Sequence, residues 1–100
     1  MRLRDAARVL RSKNAGPLTV TLDLMFETRE NFERAVQSPA LSAAALARAY
    51  RIPAEDVRVI PVPLALAIKV VLPRPIVAGS PGDTDVYGAQ QHRPLMEIEL

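Results

Sequence analysis

From Leu18 to Phe26 the chain alternates without a break: Leu18, Val20, Leu22, Leu24 and Phe26 fall on one side, Thr19, Thr21, Asp23 and Met25 on the other. Successive side chains of a pleated strand point to opposite faces, so this pattern predicts a strand with one buried face. A second alternation sets Leu64, Leu66, Ile68, Val70 and Leu72 against Ala65, Ala67, Lys69 and Val71. It predicts another strand, central because even its second face is mostly small and apolar. Two such strands need a cover, and the segment between them supplies it.

Thr28 suits a helix cap, Glu30 its positive end, Phe32 and Val36 stack one turn apart, and Glu30 to Arg34 is a favourable spacing for an ion pair. This helix stops near Ser38-Pro39. A second helical piece, carried by Leu41, Ala45, Leu46, Ala49 and Tyr50, runs to about Arg51; Ser38 and Ser42 both suit its start, and Pro53 ends it. Val57 to Val62 is β-branched, but Pro61 and Pro63 lack ladder donors, which places it at a sheet edge. Ahead of these, Leu3, Ala6, Ala7 and Leu10 recur at helical spacing and predict a helical turn leading into a loop or short strand. Downstream, Asp83 or Thr84 can cap a short helix through Gln90 or Gln91, and Leu95 to Leu100 alternate again as a last strand.

The resulting βαββαβ order is that of a ferredoxin-like α+β sandwich: one domain over residues 1–100, a mainly antiparallel sheet, helices on one face. In that arrangement Leu18, Leu22, Leu66, Ile68, Met96 and Ile98 meet the helices. Thr19, Thr21, Asp23, Ala65, Ala67, Lys69, Glu97 and Glu99 line the bare face, and Asp23 with Lys69 form a charged pair suited to an interface.

Composition removes several function classes. With no cysteine, disulfides, thiolate metal sites and thiol nucleophiles are excluded, and a reducing cytoplasm is the simplest compartment. The longest apolar run, Val59 to Ile68, is broken by prolines and falls far short of the roughly 20 residues a bilayer needs. Arg2, Arg4, Arg8, Arg11 and Lys13 gather near the start, but without interleaved aromatics to stack bases, which argues against nucleic acid. Eleven of the thirteen basic residues are arginine, whose planar fork suits carboxylate or phosphate.

Two polar knots carry the candidate ligand-binding residues. One is Arg11, Ser12, Lys13 and Asn14; the other lies within Ser80 to His92 and offers Ser80, Gly82, Asp83, Asp85, Tyr87, Gln90 and His92. Backbone N–H groups around Gly82 and a helix start at Asp83 would favour an anion that Arg11 and Lys13 reinforce. Asp83-x-Asp85 begins like a calcium loop, but Tyr87 and Pro94 stand where further oxygen ligands belong, and His92 is the single histidine. Neither a metal nor a cofactor is therefore expected. No nucleophile and base stand at recognisable spacing, which leaves catalytic residues, and catalysis itself, unassigned.

The stretches Arg11-Ser12-Lys13-Asn14-Ala15-Gly16-Pro17, Thr21-Leu22-Asp23, Ala65-Leu66-Ala67-Ile68-Lys69, Leu72-Pro73-Arg74-Pro75 and Ser80 to His92 together resemble the family catalogued as domain of unknown function 4387. That family is similar to the ferredoxin-fold domain accompanying the large AtuA proteins of acyclic terpene utilisation. The accompanying domain carries an Arg-Ser-Gly-Asp-Lys-Gly-Asp motif, of which this chain keeps Arg11, Ser12 and Gly16 but has Lys13, Asn14, Ala15 and Pro17 elsewhere. The resemblance implies a larger AtuA-like protein subunit as partner, acting on a small organic acid or acyl-CoA, with this chain lending polar loops to a shared site. The alternative is a self-associating anion-binding module, a homo-oligomer without a catalytic role.

Overall fold

The computed structural model describes residues 1–16, 18–73 and 93–100. A single helical turn, α1 (Leu3–Ala6), runs into β1 (Ala7–Asn14), which turns back into β2 (Thr19–Phe26). Two helices follow, α2 (Arg29–Gln37) and α3 (Ala43–Tyr50), then the hairpin of β3 (Arg58–Val62) and β4 (Ala67–Pro73). Among the described residues the sheet has four strands in the order β1-β2-β4-β3, every neighbouring pair antiparallel. It is an α+β fold compatible with the ferredoxin-like sandwich expected from the patterning: 19–26 and 67–73 are central, and the proline-bearing 58–62 is an edge.

The helix boundaries follow from local chemistry. The Thr28 hydroxyl accepts the Asn31 N–H at 3.2 Å, capping α2. Both candidate serines act: Ser38 caps the short turn Pro39–Leu41, and Ser42 accepts the Ala45 N–H at 3.1 Å to open α3. Arg51 ends α3 in the left-handed region at φ 59°, with Pro53 two residues beyond. The core lies between these helices and one sheet face. Val20, Leu22, Leu24 and Phe26 of β2 and Ile68, Val70 and Leu72 of β4 pack with Phe32, Ala35, Leu41, Leu46 and Ala47. Phe26 and Phe32 meet edge to face at 6.3 Å between ring centroids.

Several details differ from the sequence expectation. The helical spacing of Leu3, Ala6, Ala7 and Leu10 yields only one turn; from Ala7 the chain is a strand, with a register irregularity at Arg8. Pairing with β2 satisfies a ladder of backbone groups that an isolated short helix does not hold against water. Gly16, at φ 100°, takes the left-handed step of this hairpin, and the Ala15 N–H donates to the Thr19 carbonyl at 2.8 Å.

Because β1 occupies the place beside β2, the alternating C-terminus is not a fourth strand. Pro94 and Leu95 lie in a short turn, Arg93–Leu95, and a single bridge joins Arg2 to Glu99. Leu95 and Ile98 still contribute to the core, whereas Glu97 and Glu99 bind Arg2 and Arg4 instead of lining the bare face. Leu18, expected beneath the helices, is exposed because it sits in the hairpin turn. The predicted 64–72 strand starts at Ala67, since Pro63–Ala65 forms a tight turn closed by Leu66 at φ 49°. The short helix expected before Gln90 or Gln91 lies outside the described residues.

Candidate functional site

The sheet face opposite the helices is built by register. Side chains of directly paired residues share a face, so the row Val9, Met25, Ala67, Val62 crosses all four strands, followed by Arg11, Asp23, Lys69, Ile60 and then Lys13, Thr21, Val71, Arg58. The first row is apolar. The other two bring four cations together around one carboxylate. That is an excess of three on a chain whose net charge is +2, so the remainder of the molecule is slightly acidic and the charge is polarised towards this face.

Within this patch the Arg11 Nε donates to the Asp23 Oδ2 at 3.1 Å. The arginine is mostly exposed and the carboxylate mostly enclosed, so the pair is worth about 1 kcal/mol or less but orients Asp23 towards β1. Lys69, the cross-strand neighbour of Asp23 on the other side, makes no ion pair among the described residues, nor do Lys13 and Arg58. Between them lies Thr21, 4% exposed, its Oγ1 without a hydrogen-bond partner among the described residues. A buried hydroxyl left in that state costs on the order of 1 to 3 kcal/mol, which makes it the least satisfied group in the patch.

At the apolar end the β3–β4 turn carries Leu64, wholly exposed, beside the exposed Val62. Pro61 and Pro63 on one side and the left-handed Leu66 on the other restrict this turn, so the leucine is presented with little conformational freedom to lose. Away from this face, a groove of about 400 Å³ between the end of α2 and β3 is lined by Val36, Pro39, Leu41, Val59 and Pro61 and, among the described residues, contains no titratable side chain. Tyr50, half-buried at the end of α3, has its hydroxyl pushed well above the ordinary tyrosine range by burial.

The first polar knot is divided by strand alternation. Arg11 and Lys13 lie on the open face, while Ser12 and Asn14 lie on the helix side, Ser12 buried. Asp23 and Lys69 are direct cross-strand neighbours on the open face, but the ion pair expected between them does not form, because Asp23 binds Arg11 instead. Ser80, Gly82, Asp83, Asp85, Tyr87, Gln90 and His92 lie outside the described residues. Sequence reasoning placed Thr21 on the bare face without singling it out, and it missed Arg58 as a member of the patch. The parity of residues 58–62 holds the signal for Arg58, but only the pairing register turns it towards Lys13. Among the described residues no three carboxylate, imidazole or thiol groups gather as a metal site would require.

A family model, that of the domain of unknown function DUF4387, matches residues 3–99. The chain belongs to this family. No curated protein and no solved structure matches it. The matched span includes all four strands, so the open face and its two ends are parts of the DUF4387 domain itself. Among the described residues of this DUF4387 chain, no helix is long and apolar enough to cross a membrane.

Proposed function

We propose that this domain is a small cytoplasmic accessory subunit that docks through its open sheet face on a larger, AtuA-like protein acting on a small organic acid or acyl-CoA. It lends polar residues to a site formed jointly with that protein, and the polar stretch Ser80 to His92 is the sequence feature assigned to the shared site. The observation that carries this reading is the composition of the face: an apolar row adjoining the β3–β4 turn that carries the fully exposed Leu64, next to rows with four cations and one carboxylate. A rigidly presented leucine beside lysines that have no ion pair among the described residues fits a surface with an apolar pocket and an acidic rim.

The same face is poorly suited to a second copy of itself. A two-fold axis along the strands would set cations against cations; one across the strands would set cations against the apolar row. Either arrangement strands charge without a partner. The self-associating reading is therefore secondary, favoured only by the cationic rows as an anion site.

The test is co-purification with an AtuA-like protein encoded alongside, followed by titration calorimetry. Leu64→Ser and Lys69→Met are expected to weaken association at least tenfold, about 1.4 kcal/mol or more, while melting of the isolated chain changes little. Turnover by the verified monomer without any partner would overturn the reading, as would unchanged association of both variants.

A further inference from the structure

The cationic end of the open face has a property that docking does not need. Thr21 is 96% removed from solvent, yet its hydroxyl has no acceptor among the described residues. Lys13 is its direct neighbour on β1, and Lys69 its diagonal neighbour on β4. Cross-strand neighbours stand about 5 Å apart at Cβ and diagonal ones about 7 to 8 Å, so the long lysine stems can bring both ammonium groups over the hydroxyl. Arg11 is taken by Asp23, which neutralises the carboxylate in the row next to Thr21.

We infer that Lys13, Lys69 and Thr21 form a binding site for a small oxyanion, a carboxylate or a phosphate group, with Arg58 as a further cation behind Val71. Each of the three groups is a donor, and an oxyanion has enough acceptor oxygens to take all of them at once. The anion supplies the acceptor that Thr21 lacks among the described residues as the lysine side chains close on it. Beside this cluster a recess of about 330 Å³, lined by Thr19, Val71, Leu72, Pro73 and Asp56, has room for a short carbon skeleton. The excess positive charge of the face, on an otherwise slightly acidic molecule, draws anions to this end. The inference takes only the choice of face from the docking proposal. All its groups belong to this chain, so it is tested without the partner.

The experiment is an amide-resolved NMR titration of the isolated full chain with inorganic phosphate, acetate and butyrate, each against sodium chloride at matched ionic strength. Saturable shifts centred on Lys13, Thr21, Lys69 and Val71 are expected, with a midpoint on the order of 1 mM. Butyrate binding more tightly than acetate identifies a carboxylate with an apolar body in the recess; phosphate binding more tightly than both identifies a phosphoryl ligand. Thr21→Val is expected to lower affinity about tenfold while leaving the melting temperature unchanged or raised, because it conserves shape and removes a hydroxyl that has no partner among the described residues. Lys13→Met and Lys69→Met each lower it as well. Shifts no larger than those in sodium chloride, shifts spread evenly over all basic residues, or full affinity in Thr21→Val would overturn the site. Any of these outcomes leaves the association experiment with the partner unaffected, and loss of association leaves this site standing.

Discussion

Arg51 and Leu66 both take positive φ without being glycine, for different physical reasons. Arg51 closes α3 with its side chain in solvent, so nothing offsets the steric cost of the left-handed step. Arg51→Gly is expected to stabilise the domain by up to about 1 kcal/mol in denaturant titration. Leu66 makes the same step but packs against the core, and its backbone carbonyl accepts the Phe26 N–H at 2.8 Å. A glycine there would trade strain for lost burial. Tyr50 gives a pH signature. Its folded pKa lies above the ordinary 10.0, so above that pH the unfolded chain loses a proton that the folded chain keeps. The stability it contributes is intact below pH 10.0 and declines as pH rises further, by at most about 1.4 kcal/mol per pH unit. Denaturation at a series of alkaline pH values should show a shallower decline in Tyr50→Phe than in the parent; equal slopes would mean that the hydroxyl ionises freely in the folded state.

At the scale of elements, capping decides where the helical segment breaks in two. Ser38 and Ser42 each accept a backbone N–H, so Pro39–Leu41 and α3 are separate pieces instead of one continuous helix. Ser42→Ala should cost about 1 kcal/mol, a fall of about 4 to 8 °C in melting temperature for a domain of this size, whereas Ser42→Asp should cost little. The strands show the opposite balance. β1 has local spacing suited to a helix and becomes a strand through its partner β2, while 95–100 has local alternation suited to a strand and has no ladder among the described residues. Strand formation depends on an open neighbour as much as on pattern.

The whole molecule is closed by its two ends. The Leu3 N–H donates to the Ile98 carbonyl at 2.7 Å, Arg2 and Arg4 bind Glu97 at 3.1 and 3.2 Å, and Leu95 is fully buried in the common core. Exposed ion pairs contribute roughly 0 to 1 kcal/mol each, whereas truncating a buried leucine costs about 2 to 5 kcal/mol. Leu95→Ala is therefore expected to destabilise the domain severely and Glu97→Gln hardly at all, measured by chemical denaturation. The reverse ranking would mean that charge, not burial, holds the C-terminus.

The sequence by itself determined the two central strands, the proline-marked edge, the helix caps and the aliphatic core, because each depends on local periodicity or on a side chain bonding to its own backbone. It also placed Asp23 and Lys69 on one face, since the parity of a strand is intrinsic. Tertiary structure alone decided which strand lies beside β2, a competition between two segments that neither local pattern resolves. That choice aligns Arg11 with Asp23 and Lys13 with Thr21, turns Ser12 and Asn14 away to the helix side, and leaves the Thr21 hydroxyl buried without a partner among the described residues. A one-residue change of register would reverse every one of these faces, and register is a property of the pair of strands, not of either one.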